Sequence, residues 1–221
     1  MGVYGGTFDP IHDGHIEVAR SILRRFKLDT LLLVLAACPP HKDPESISSA
    51  YHRYAMAAMA SIDVEGIDVS AVELEHSDRP YTFETVGTLR RIYGEEAAIF
   101  LVLGSDSFED LHKWKEPVRI LEGSSIIVAA RPGYEITEQA ATIGGRDLRG
   151  HIEDLRGAAV YNGSGAETPQ RGRIYLTDLV AVDISSTDIR ERVSRGMSIE
   201  GMVPAAVAHY IRKYDLYREA N

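Results

Sequence analysis

Three stretches of the chain, Thr30–Leu35, Ile99–Leu103 and Ser125–Ala129, are runs dominated by leucine, isoleucine and valine. They do not alternate with polar residues, so they predict strands covered on both faces. Between them the period changes. Ile16–Phe26 carries apolar residues at Ile16, Ala19, Ile22, Leu23 and Phe26, the spacing of an amphipathic helix, and Tyr51–Ile62 and Thr85–Ile92 follow the same pattern. Strands alternating with helices imply crossover connections, hence an α/β fold: a doubly wound, mostly parallel sheet with helices on both faces.

The later part of the chain is less regular. Gly133–Arg173 is rich in Gly, Thr, Glu and Arg with weak periodicity. It reads as an excursion, partly helical around Ile152–Val160 and loop-like afterwards. A strand region at Ile174–Val182 then leads through a polar turn into a helix at Asp188–Ser194. Val207, Tyr210, Ile211 and Tyr214 sit at helical spacing and predict a closing helix over Val203–Tyr217. One domain spanning residues 1–221 is expected, its C-terminal helical part running from about residue 184 to 221.

The 221 residues contain no apolar run near the length of a membrane span and no charged-then-apolar leader, which predicts a soluble, cytoplasmic protein without membrane association. The single cysteine, Cys38, has no partner for an internal disulfide and reads as a small packed residue. With 24 basic and 33 acidic side chains the formal net charge is −9, which argues against gripping a nucleic-acid backbone. It leaves small anions open, provided donors and cations converge locally. Homo-oligomer formation is left open by the sequence.

They converge at two motifs. The first, Gly5-Gly6-Thr7-Phe8-Asp9-Pro10-Ile11-His12-Asp13-Gly14-His15, follows a short strand and opens a helix near Gly14. Glycines admit an anion close to the backbone, a helix start offers free N–H groups, and His12 and His15, three residues apart, can face one phosphate as hydrogen-bond donors. A tight turn followed by a satisfied helix-start histidine is the plainer alternative. The second motif is Ile184-Ser185-Ser186-Thr187-Asp188-Ile189-Arg190, again between a strand and a helix. Ser185 or Ser186 would serve there as an ordinary helix cap; Arg190, one turn in, is placed to reach back to an anion. Neither motif is a P-loop or a dinucleotide fingerprint.

Together the motifs resemble the nucleotidylyltransferase superfamily, in which a histidine motif and an I-S-S-T-x-I-R motif grip ATP. Pro39-Pro40-His41-Lys42, Arg79-Pro80-Tyr81-Thr82, Leu103-Gly104-Ser105-Asp106-Ser107, Lys113-Trp114, Ala130-Arg131-Pro132-Gly133-Tyr134 and Val203-Pro204 through Leu216-Tyr217 are similar, in order, to bacterial nicotinate-nucleotide adenylyltransferases. The chain departs from the family in having only Met1–Tyr4 before the glycines, so that either the strand is short or the native start lies upstream, and in carrying Glu84 where another polar residue is usual.

The resemblance implies a Rossmann-like fold and transfer of the adenylyl group of ATP to nicotinic acid mononucleotide. It assigns His12, His15, Lys42 and Arg190 to catalysis. Gly5, Gly6, Thr7, Phe8, Gly104, Asp106, Ile184, Ser186 and Thr187 would join the two histidines and Arg190 around ATP, and His41, Lys42, Tyr81, Thr82, Trp114 and Arg131 would bind the mononucleotide. A phosphate nucleophile is already ionised at neutral pH, so neither a general base nor a covalent intermediate is needed. Mg²⁺ would be carried by the ATP phosphates, since the acidic residues show no ligand spacing for a protein metal site. Relatives acting on nicotinamide mononucleotide or phosphopantetheine, or using CTP, share the phosphate motifs. A non-catalytic nucleotide-binding module would be expected to have lost some of those residues, and a dehydrogenase lacks its glycine fingerprint here.

Overall fold

The computed structural model describes residues 1–37, 47–75, 80–130, 133–157, 171–178 and 184–218. In chain order its elements are β1 (Gly2–Gly6), α1 (Asp13–Arg25), β2 (Leu31–Leu35), α2 (Ala50–Ser61), β3 (Ile67–Ser70) and α3 (Thr82–Tyr93). There follow β4 (Phe100–Gly104), α4 (Ser105–Glu109), α5 (Pro117–Gly123), β5 (Ser125–Ala129), and a small hairpin of β6 (Thr142–Ile143) and β7 (Arg146–Asp147). The last elements are β8 (Ile152–Asp154), β9 (Ile174–Thr177), α6 (Ser186–Ser194) and α7 (Ala205–Lys213).

Seven strands form one sheet in the order β3-β2-β1-β4-β5-β9-β8. Each pair in it is parallel. Because side chains alternate along a strand, the apolar run of β2 feeds two cores. Leu31, Leu33 and Leu35 join Ile22 of α1 and Phe26 just after it, Met56 of α2, Ile189 of α6 and Ile211 of α7 on one face. Leu32 and Val34 join Leu89 of α3, Phe108 of α4 and Ile120 of α5 on the other. Both faces are therefore covered, which is the doubly wound arrangement that the uninterrupted apolar runs predict.

The topology also places the site. From β1 the chain winds outward through β2 to β3, then crosses to β4 on the opposite side of β1. β1 and β4 pair only from Gly2 opposite Phe100 to Tyr4 opposite Val102, so their C-terminal ends are not paired to each other. A crevice at such a switch point is where open parallel sheets hold ligands.

One expectation is overturned. Ile152–Asp154, expected to be helical, is the edge strand β8, paired with β9 from Ile152 opposite Ile174 to Asp154 opposite Leu176. Sheet pairing won over a weak helical pattern: Ile152 packs on one core, and the strand delivers the buried Leu155 to the other. The helices around residues 16–26, 51–62 and 85–92 are present with starts one to three residues earlier. The strand expected over residues 174–182 is observed from Ile174 to Thr177, and residues 179–183 lie outside the described set. The last helix is shorter than expected, ending at Lys213 before turns that carry Tyr214 and Tyr217. Among the described residues no helix is long and apolar enough to cross a membrane.

The packing of α3 on α5 supplies a test. A Cβ on Gly123 would stand 2.7 Å from Cγ1 of the buried Val86, a stiff β-branched neighbour. Overpacking of that kind costs about 1–3 kcal/mol, against at most about 1 kcal/mol of gained helix propensity. Urea unfolding of Gly123→Ala is expected to show a net loss of about 1–2 kcal/mol, and a gain in stability would contradict this packing.

Candidate active site

β1 ends in two glycines with different reasons. A side chain on Gly6 would meet the Phe8 ring at 2.8 Å, whereas Gly5 faces open space at the crevice. Phe8 turns the chain with φ of +48°, and its ring is buried, packed edge-on against Tyr4 and His15. Anything Phe8 offers a ligand must come from its backbone. Across the crevice Gly104, at the end of β4, is exposed and has equally open space above it. Asp106 is exposed in the first turn of α4 that follows.

His12 is the N-cap of α1 and His15 its third residue, and the pair forms a reciprocal cap. The His15 N–H donates to Nδ1 of His12 and the His12 N–H donates to Nδ1 of His15, both at 3.3 Å. The rings stack with centroids 3.6 Å apart. With both Nδ1 atoms used as acceptors, each neutral ring carries its proton on Nε2, which makes two parallel N–H donors. Burial lowers the pKa of His12 to about 4; burial, with the His12 charge as a second cause, lowers that of His15 to about 3. Both are neutral donors at pH 7 in the absence of ligand.

The free helix N–H groups expected near Gly14 are mostly occupied. Asp13 N–H donates to the Met202 carbonyl at 2.9 Å, and those of His15 and Ile16 donate to His12. Phosphate capture thus falls to the imidazoles more than to the helix end.

The second motif docks against the first. Ser185, not Ser186, caps α6, accepting from the Asp188 N–H at 3.0 Å. Ser186 is freed to donate to the Pro10 carbonyl at 2.9 Å. Arg190 donates to the Asp9 carbonyl at 2.7 Å and to Thr187 Oγ1 at 3.3 Å, so the guanidinium lies beside the histidine loop. Thr187 is exposed at the helix start, and Ile184 is half-buried against the core.

Asp9 and Arg53 hold this loop, and sequence reasoning assigned neither to the site. The buried Asp9 carboxylate accepts from the Tyr217 hydroxyl at 2.7 Å and from the Ser48 N–H at 3.2 Å. Arg53, 1% exposed, donates to the carbonyls of Thr7, Ala36, Ala37 and Ser48 at 2.8–3.0 Å. A signal for Arg53 did exist: it shares a helical stripe with Met56, Ala57 and Ala60.

On the other face, Trp114 is half-buried and packs against the same core as Phe83, Val118 and Tyr134. Thr82 is the first residue of α3, whose start is fixed by Glu84 accepting from the Tyr81 N–H at 2.8 Å. That gives the unusual Glu84 a capping role. The Tyr81 ring is half-exposed and stacks at 6.2 Å on Phe83, which also lies under the Arg119 guanidinium. His41, Lys42, Arg131 and Cys38 lie outside the described residues. Among the described residues no group of three or more His, Cys, Asp or Glu could hold a metal. The donor set of the two docked motifs, imidazole N–H, guanidinium and hydroxyl, suits phosphate oxygens rather than a bare cation.

The neutral histidine pair ties stability to pH. The folded state binds its protons near pH 3–4 and the unfolded chain near 6.5, so the pair's contribution is complete above 6.5 and is lost as pH falls toward 4 and below. Thermal unfolding midpoints between about pH 7.5 and 5 should fall more steeply for the wild type than for a His12→Asn, His15→Asn double variant, since asparagine also caps. Equal slopes would contradict the buried neutral pair.

Comparison with known proteins gives one consistent result. The model of the cytidylyltransferase-like family matches residues 3–192. A Thermoanaerobacter sp. (strain X514) protein named "Probable nicotinate-nucleotide adenylyltransferase" is 35% identical over 222 residues, covering 99% of this chain and 94% of its own. One of the same name from Desulfatibacillum aliphaticivorans is 36% identical, covering 98% and 99%. The fold is shared with Plasmodium falciparum nicotinic acid mononucleotide adenylyltransferase, solved with APC and with NaAD, at a TM-score of 0.69 and 21% identity over 98% of this chain and 96% of that one.

Proposed function

The chain belongs to the cytidylyltransferase-like family and, within it, to the nicotinate-nucleotide adenylyltransferases, and we propose that it transfers the adenylyl group of ATP to nicotinic acid mononucleotide. The products are nicotinic acid adenine dinucleotide and pyrophosphate. The observation that carries this reading at the level of chemistry is the stacked His12–His15 pair at the start of α1, whose Nδ1 atoms both accept and so leave Nε2–H as the donor of each ring, with Arg190 of the second motif docked on the same loop.

The acceptor phosphate oxygen attacks the α-phosphorus of ATP, and the bond to the bridging oxygen of pyrophosphate breaks on the opposite side. No proton needs to be removed from the nucleophile. Catalysis is therefore alignment plus stabilisation of charge that moves onto the equatorial and leaving oxygens. His12 and His15 donate to α- and β-phosphate oxygens. Arg190, Ser186 and Thr187 receive the departing pyrophosphate, for which Arg190 exchanges its hold on the Asp9 carbonyl, and Ser186 its hold on the Pro10 carbonyl, for phosphate oxygen. Gly5 and Gly104 leave room for the nucleotide to lie against the backbone, and Asp106 accepts from ribose hydroxyls.

Lys42 and His41 are assigned to the acceptor phosphate by family resemblance, and Arg131, Tyr81, Thr82 and Trp114 to the nicotinate side, with the Trp114 ring stacking on the pyridine. Mg²⁺ carried by the ATP phosphates would supply the remaining charge neutralisation.

The test is pyrophosphate release from ATP and Mg²⁺ with nicotinic acid mononucleotide, nicotinamide mononucleotide or phosphopantetheine offered separately. Release is expected to be strongest with the nicotinate compound. Release only with another acceptor would overturn the substrate, and none with any would overturn the activity. His15→Ala should lower kcat by about 10²–10³, the scale of one lost oxyanion donor, while the lost cap costs only about 1 kcal/mol of stability; near-normal turnover would contradict the phosphate role.

A further inference from the structure

Residues 133–141 lead into the β6–β7 hairpin, whose Ile143 is buried in one core with Phe108 of α4 and Ile120 of α5, together with Ala140 and Leu148. Its approach to α4 is governed by one carboxylate. Glu109, the last residue of α4, accepts from the Tyr134 hydroxyl, from the Thr137 hydroxyl, and from the Thr137 N–H at 3.3 Å. The Tyr134 carbonyl is held at its other end by Arg156 at 2.7 Å, and Thr137 Oγ1 also accepts from the Ala140 N–H at 3.2 Å. The Glu109 carbonyl faces Nδ1 of His112 at 2.7 Å, within the turn that leads to Trp114.

We propose that Glu109 is a positioning residue for the acceptor nucleotide, its carboxylate fixing the segment that carries Tyr134 and Thr137 against α4, where Tyr134 and Trp114 pack on one core. The proposal rests on the adenylyl-transfer reading above and deepens it on the nicotinate side. Glu109 touches no substrate itself. What it does is chemical: the carboxylate accepts from two hydroxyls and an amide at once. Burial would raise its pKa, but the hydrogen bonds from Thr137 and Tyr134 outweigh burial and hold it below the ordinary carboxylate value. Without the carboxylate, Tyr134 and Thr137 lose their shared acceptor, and the segment is released three residues after Arg131. The ATP phosphates are untouched, because their donors hang from α1 and α6 on the opposite face of the sheet, and Asp106, assigned to the ATP ribose, is held in α4 by the helix backbone, its carbonyl accepting from the Asp110 N–H at 3.3 Å, rather than by the Glu109 carboxylate.

The experiment is steady-state kinetics of the full chain with Glu109→Ala, Glu109→Gln and Tyr134→Phe, beside calorimetric titration of each protein with nicotinic acid mononucleotide alone. For Glu109→Ala the acceptor KM and Kd should rise about tenfold, the scale of one charge-assisted hydrogen bond, with the ATP KM within about twofold of wild type. Glu109→Gln, which keeps an acceptor oxygen, should recover most of the loss. Tyr134→Phe, which removes one bond and leaves the carboxylate, should give a smaller rise of the same selectivity. Unchanged acceptor constants would overturn the proposal, as would ATP and acceptor constants rising together, the mark of a general loss of structure. A wild type that turns over and binds the acceptor while the variants match it sinks the proposal alone; a wild type that does neither sinks the adenylyl-transfer reading and the proposal with it.

Discussion

The Arg53 guanidinium is the interaction on which the site depends. It enters the interior from α2, and four carbonyls from three separate stretches close on it: Thr7 beyond β1, Ala36 and Ala37 beyond β2, and Ser48 before α2. Parallel sheets end in loops with no hydrogen-bonding ladder of their own, and their carbonyls must find donors if they are buried. A single planar cation with five donors meets several of them at once, and in doing so sets the height of the histidine loop relative to the end of β2. Ser48 is a shared node, its carbonyl bound by Arg53 and its N–H by Asp9. From Asp9 the chain of contacts passes to Tyr217 near the C-terminus and, through the Asp9 carbonyl, to Arg190. Motifs some 180 residues apart are thereby held together before any nucleotide arrives.

That arrangement matters because the chemistry asks for little else. An ionised phosphate attacking a phosphoryl centre needs no base, so the protein contributes geometry and positive potential. A chain with net charge −9 can supply that potential only locally. It does so with two histidines that are neutral yet oriented as donors, an arrangement that avoids two buried cations stacked face to face, and with one guanidinium already docked on the loop. The helix end is a minor partner, since most of its first-turn amides are taken by His12 and Met202.

Much of the fold was legible in the sequence, and the failures are instructive. β2, β4 and β5 are buried on both faces, so their apolar runs had no rival reading. β3 went unseen because it is a four-residue edge strand with only Ile67 buried. β8 was read as helix because three residues hold too little pattern to resist a helical neighbourhood, and only pairing with β9 decides it. In the site, the three-residue spacing of His12 and His15 was readable, whereas their reciprocal cap is a matter of ring rotation that no spacing encodes. Asp9 and Tyr217 are 208 residues apart, and local pattern says nothing of such a pair. Arg53 was given no part in the sequence reading, although its place among Met56, Ala57 and Ala60 was a signal that the charge lies inward.

The claim that one buried cation holds the site loops in register is tested most directly by replacing it with an apolar side chain of similar length. Equilibrium urea unfolding of Arg53→Met should show a loss of about 3–5 kcal/mol, because four carbonyls lose a charged donor in the interior. A variant within about 0.5 kcal/mol of wild type, the range of an ordinary surface substitution, would contradict that account.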